Sequence, residues 1–206
     1  MIRASAAAAP AIPYLAVAVG LNLLGNAWLA LLGCHIGMLA VLLIARARIG
    51  ALPPVGSRGS RIVAATGALG AASGPLLLVA SPSLRLSGDL PIYLSSIGLT
   101  AAAWPEFIFY FVLVNPWLEE FYWRGYLGSE ARGPVLNDFL YAGYHGLVLA
   151  GRVAVPWLAA ILLVMAGAAW LWRQADRGAG GLLPSCISHL AADLTVLLAI
   201  HSMTLK

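Results

Sequence analysis

The chain has 206 residues, 61% of them hydrophobic and 10% charged, with a formal net charge of +4. Together with a mean hydropathy of +0.88, this composition excludes a sizeable soluble domain and points to an integral membrane protein. Its long continuous apolar runs exclude an alternating β-barrel. Its basic residues, all arginine except Lys206, form no patch with interleaved aromatics, so no nucleic acid is expected as a partner.

The fold class read from these runs is all-α: a polytopic transmembrane helical bundle of about seven spans, within a range of six to eight. It forms one integral-membrane domain over residues 1–206. Residues 12–31 and 33–45 are too long for a single crossing and are divided near Gly33-Cys34-His35. The segment 46–61, with Arg46, Arg48, Arg58, Arg61 and Pro53-Pro54, reads as a cytoplasmic loop. A third span covers 62–80, whose small residues suit close helix packing, and 81–90 with Arg85 and Asp89 is a loop. Pro105 and Pro116 divide 91–127 into an interfacial piece, 91–103, and a fourth span that carries an acidic motif. Further spans are expected at 135–150, 154–172 and 180–203, with a loop at 173–179 holding Arg173, Asp176 and Arg177. An inner set of Arg3, Arg46, Arg48, Arg58, Arg61, Arg132, Arg173 and Arg177 outnumbers an outer set of Arg85, Arg152 and Lys206, which places the N-terminus in the cytoplasm. The Ala- and Arg-rich composition suggests a bacterial cytoplasmic membrane. Cys34 and Cys186, both in apolar surroundings, are expected to be free buried thiols.

Three places break the apolar pattern. The first is Asn115-Pro116-Trp117-Leu118-Glu119-Glu120-Phe121-Tyr122-Trp123-Arg124. An ionisable residue at membrane depth costs roughly 2.5–3.5 kcal/mol on translocon scales, so such residues persist when paired, facing a cavity or doing chemistry. Glu120 and Arg124 are at i and i+4 and can pair. Glu119 is turned about 100° away and lacks that partner. Asn115-Pro116 reads as a helix cap followed by a first-turn proline, or as a kink in a longer helix. The second place is His145, after Tyr141, and the third is the i, i+4 pair His189 and Asp193. By helical rise, Glu119, His145 and His189 all lie about 15 Å inside the cytoplasmic boundary and can meet in one polar site. A carboxylate and a histidine can deprotonate a water, and a second histidine can stabilise an oxyanion. Glu119, His145, His189 and Asp193 are equally a credible zinc ligand set, and the sequence leaves both versions open. His35 and His201 have no matching partner and read as structural; Asn22 and Asn26 read as helix–helix glue.

Glu119-Glu120-x-x-x-Arg124, then Tyr141-x-x-x-His145, then His189-x-x-x-Asp193 resembles the three motifs of the CPBP family, which comprises CAAX prenyl proteases and the bacteriocin-processing or immunity proteins also called Abi. The resemblance covers Asn115 to Leu197, within a catalytic core of about 106–203. It implies an intramembrane endopeptidase of the glutamate type. Glu119 and His145 would activate water, His189 and Asp193 would bind the oxyanion or orient the site, and Glu120 and Arg124 would support it. No cofactor is expected, with zinc on the same four residues as the alternative. The expected partners are the lipid bilayer and a peptide or protein substrate, membrane-anchored or lipid-modified. Two departures stand out: Tyr141 where the family usually has Phe, and Asp193 where it often has Asn. A carboxylate cannot donate unless protonated, which weakens Asp193 as an oxyanion donor. A non-catalytic immunity or scaffold protein of the same fold is the alternative reading.

Overall fold

In a bilayer the backbone must satisfy its own polar groups, and every regular element among the described residues is helical. The computed structural model describes residues 8–47, 52, 56–84 and 90–205. In chain order these give α1 (Ala11–Val17), running on as a π-helical turn (Ala18–Leu23), then α2 (Ala27–Ile44), α3 (Ser57–Ala71), α4 (Ser73–Leu84) and α5 (Leu90–Ser96). Next come α6 (Trp104–Glu120), continued by a π-helical segment (Phe121–Tyr126), α7 (Leu136–Leu149), α8 (Val155–Ala179) and α9 (Leu183–Thr204). α2, the α3–α4 pair, α8 and α9 are each long and apolar enough to cross a membrane, and Ala11–Leu23 is a shorter apolar helix. Leu76, Val79, Leu163 and Val164 on these helices are exposed, as suits a bundle whose solvent is lipid.

α9 is the hub, packing along α3, α4, α6 and α8. The small residues of the third apolar run let it come close. A Cβ on Gly70 would collide with the Ser188 carbonyl, and one on Gly74 with the Thr195 carbonyl. The Gly74 amide donates to Thr195 Oγ1 at 3.1 Å. α3 and α4 therefore press directly on the turns of α9 that carry His189 and Asp193. The start of α9 is fixed from α8: Asp176 Oδ1 accepts from the Ser185 amide at 3.0 Å, one of the amides a helix start leaves free. Gly180, with φ of 81°, ends α8 in the left-handed conformation that favours glycine.

Several boundaries differ from the sequence reading. The break between the first two helices falls at Leu24–Asn26, not at Gly33-Cys34-His35, which lie inside α2. Gly25 turns the chain with φ of 61°, and Asn26 caps α2 by accepting from Leu29 N at 3.0 Å. Asn26 is thus a cap and not helix–helix glue, whereas Asn22 does bridge helices, donating to Leu147 O at 3.2 Å. Ser57 to Arg61 belong to α3 and not to a loop, and the third span is two helices divided at Ala72. Pro116 lies inside a continuous α6, so Asn115 is no N-cap. The expected loop at 173–179 is the last part of α8, with Arg173 and Asp176 buried. Polar residues suggested a loop there because their partners lie elsewhere in sequence. Arg173 pairs with Asp138 at 2.7 and 2.9 Å and also donates to the carbonyls of Ser129, Ala131 and Gly133. Arg3, Arg48, Pro53-Pro54, Arg85, Asp89 and Lys206, on which parts of the topology reading rest, lie outside the described residues. Cys34 and Cys186 are free and buried.

Candidate active site

The two glutamates end α6, and the helix then loosens into its π-helical segment. Such segments recur at functional sites because they re-aim side chains against the regular turn. Glu120 is fully buried and turned toward α9. Its Oε1 lies 2.8 Å from His189 Nδ1, and its Oε2 lies 3.1 Å from Arg124 Nε. The predicted Glu120–Arg124 pair is present, but Glu120 also holds the histidine, a contact that one-helix spacing does not reveal. The Arg124 guanidinium carbon sits 4.1 Å from the Tyr141 ring centroid and 5.0 Å from that of Trp172. Stacking between two aromatic faces helps this charge tolerate burial.

Glu119 faces the other way, as its angular offset predicts. Its Oε1 accepts a short hydrogen bond from Tyr144, while Oε2 is buried without a hydrogen-bond partner among the described residues. His189 stands between the acids. Its Nε2 lies 3.5 Å from Asp193 Oδ1, 3.5 Å from the Tyr141 hydroxyl and 4.0 Å from Glu119 Oε2. None of these is a tight bond, so this N–H faces three oxygens without being committed to one. The ring itself is fixed: it stacks on Trp172 at 5.1 Å, and the Trp172 indole donates to Ser188 Oγ at 2.9 Å. Both ring nitrogens face carboxylates, and only the doubly protonated imidazolium donates to both.

Asp193 is tied down from behind. Its Oδ2 accepts from Asn115 Nδ2 at 3.1 Å, and Asn115 Oδ1 lies 3.0 Å from His35 Nε2. The other His35 nitrogen is 3.0 Å from the Tyr110 hydroxyl. His35 thus has a partner in the cluster, contrary to the sequence reading. His145 has a single side-chain hydrogen bond among the described residues, between Nδ1 and the Tyr141 carbonyl at 3.0 Å. That bond leaves Nε2 as the free ring nitrogen. The ring packs on Tyr144, with centroids 4.0 Å apart, so His145 reaches Glu119 through the residue that bonds Glu119.

The structure therefore brings Glu119, Glu120, Arg124, His189 and Asp193 into one cluster, with His145 beside it behind Tyr144. Asn115, Tyr144 and Trp172 were missed as site neighbours. Asn115 had a signal, since it precedes Glu119 by four residues on the same face. Among the described residues, no group of three or more His, Cys, Asp and Glu side chains stands as a ligand set for one metal ion. Each of the four residues named for zinc keeps one atom outside any tight hydrogen bond, Glu119 Oε2, His145 Nε2, His189 Nε2 and Asp193 Oδ1, while Tyr144, Asn115 and Glu120 hold Glu119 Oε1, Asp193 Oδ2 and His189 Nδ1.

Residues 101–195 match the family described as "Type II CAAX prenyl endopeptidase Rce1-like". No curated protein and no solved structure matches the chain. The matched stretch takes in every residue of the cluster that lies on α6, α7 and α9, and it supports a peptidase acting on a peptide or protein substrate in a membrane setting. The apolar helical bundle and this match place an Rce1-like, type II CAAX prenyl endopeptidase domain at residues 101–195, consistent with a CPBP family intramembrane protease.

Proposed function

We propose that the chain is an intramembrane endopeptidase that hydrolyses a peptide bond with a water activated by Glu119 and His145, near the cytoplasmic face of a bacterial membrane. One observation carries this reading: Glu119 Oε2 is buried, has no hydrogen-bond partner among the described residues and lies 4.0 Å from His189 Nε2. A carboxylate oxygen in an apolar interior is costly without a donor, and a water between it and the histidine supplies one. In the proposed reaction Glu119 takes a proton from that water as its oxygen attacks the scissile carbonyl carbon. His145 Nε2, left free by the bond from Nδ1 to Tyr141, is the second acceptor. The oxyanion that develops meets His189 Nε2–H, and the abstracted proton passes to the leaving amine as the peptide bond breaks. Glu120 holds the His189 ring at Nδ1, and Asp193 Oδ1 stands 3.5 Å from Nε2 on the other side. The substrate class is a peptide or protein, membrane-anchored or lipid-modified.

The test uses the purified protein in detergent and a quenched peptide reporter ending in a farnesylated CAAX sequence. Cleavage that survives chelation and is lost in Glu119→Ala supports the metal-free reading. Cleavage lost to chelation and restored by zinc overturns the metal-free part. Cleavage unchanged in Glu119→Ala overturns the assignment of the base.

A further inference from the structure

We infer that Asn115 is a positioning residue: its side-chain amide, itself oriented by His35, holds Asp193 against His189. The inference rests on reading the Glu119–His189 cluster as the catalytic site. It begins with a residue in an unfavourable place. Asn115 lies in the interior of α6 immediately before Pro116, and it is buried. Asparagine is a poor helix former, and the residue before a proline is disfavoured in helical conformation. A buried polar side chain adds a desolvation penalty unless it is hydrogen-bonded. All three penalties act at one position, so the side chain has a task that offsets them.

The contacts show the task. Asn115 Nδ2 donates to Asp193 Oδ2 at 3.1 Å. The amide cannot face the other way, because its carbonyl oxygen would then meet a carboxylate. Its Oδ1 is therefore the acceptor that faces His35 Nε2 at 3.0 Å, which makes Nε2 the protonated nitrogen and leaves Nδ1 to accept from Tyr110 at 3.0 Å. One ordered line of bonds thus runs from Tyr110 and His35 through Asn115 to Asp193, joining α2, α6 and α9. Asp193 needs that anchor. With Oδ2 held, the carboxylate cannot rotate, and Oδ1 stays 3.5 Å from His189 Nε2. In this chain the amide that an asparagine in place of Asp193 would have carried is supplied from α6, and the charge stays on α9.

A reciprocal exchange tests the inference. Asn115→Asp sets two carboxylates face to face, and Asp193→Asn sets two amides. The double variant Asn115→Asp/Asp193→Asn restores one donor and one acceptor, with the amide now on α9 still offering an oxygen to His189. The expected result is a melting temperature, measured in detergent, that falls in each single variant and recovers most of the loss in the double. The chain has 4 histidines, so 15N-histidine spectra are tractable. The His189 ring signals should move in Asn115→Ala and return toward wild type in the double variant. On the farnesylated reporter, Asn115→Ala should lower kcat on the order of 10²-fold with KM within about twofold, as for a misplaced catalytic group. Additive losses in the double variant, or an unmoved His189 signal, overturn the inference. A change in KM alone overturns it too, since that marks helix packing. Coupling between the two positions in a protein that cleaves nothing would retain the Asn115–Asp193 assignment and count against the peptidase reading instead.

Discussion

Arg173 and Arg124 are both buried guanidiniums, 7% and 8% exposed, and each stands beside a carboxylate. Arg173 is saturated. It grips both oxygens of Asp138 and spends its remaining N–H groups on three carbonyls of the 129–133 loop. Asp138 in turn accepts from the Val135 amide at 2.9 Å, capping α7. Arg124 is left open: Nε goes to Glu120, while Nη1 and Nη2 lack partners among the described residues, as does Glu119 Oε2 nearby. A saturated cluster fixes structure, here the loop that joins the acid-bearing helix to α7. An unsaturated one leaves groups in the apolar interior at about 1–3 kcal/mol each, a cost that selection removes unless the groups are used. Under the proposed function, the saturated cluster serves stability and the unsaturated one serves chemistry.

The sharpest way to test that separation is Glu119→Gln. Peptidase activity should fall by about 10²–10⁴-fold, while thermal stability in detergent holds or rises, because the buried charge with one oxygen lacking a donor is removed and the amide can still accept from Tyr144. A large loss of stability would place Glu119 with the structural cluster. Arg173→Ala should do the reverse, costing about 3–5 kcal/mol in unfolding free energy by leaving Asp138 buried and unpaired. Activity per folded molecule should change little, which a comparison of initial rate with folded fraction would show. Gly70→Leu forces a side chain into the Ser188 carbonyl and should cost about 1–3 kcal/mol, with activity falling too because α9 shifts. Asn26→Ala removes one cap far from both clusters and should cost about 1 kcal/mol with unchanged kcat.

Much of this was legible in the sequence, for reasons that also explain the failures. Spacing within one helix is local, so the Glu120–Arg124 pair, the outward turn of Glu119 and the His189–Asp193 pair could all be read from i, i+4 positions. The common depth of the motifs followed from helical rise, and the contact between His189 and both glutamate positions agrees with it. Contacts between distant segments carry no such mark. His35 lies 80 residues from Asn115 and looked like an isolated polar residue. Arg173 and Asp176 looked like loop residues because their partners, the Asp138 carboxylate and the Ser185 amide, are invisible to a hydropathy scan. The first helix break was misplaced because Gly33 is tolerated inside α2, whereas the cap at Asn26 looked like one more polar residue in an apolar run.

The bond from Asp176 to the Ser185 amide has a geometric consequence for the histidine downstream. His189 comes four residues after Ser185, about one helical turn. A slip of one residue in the start of α9 would swing His189 by about 100° and carry it about 1.5 Å along the axis, out of reach of Glu120. Because the amide is gripped from α8, the angular phase of α9 is set by a neighbouring helix and not by the turn at Gly180–Leu182. That turn can therefore vary in length, while the interval from Ser185 to His189 cannot.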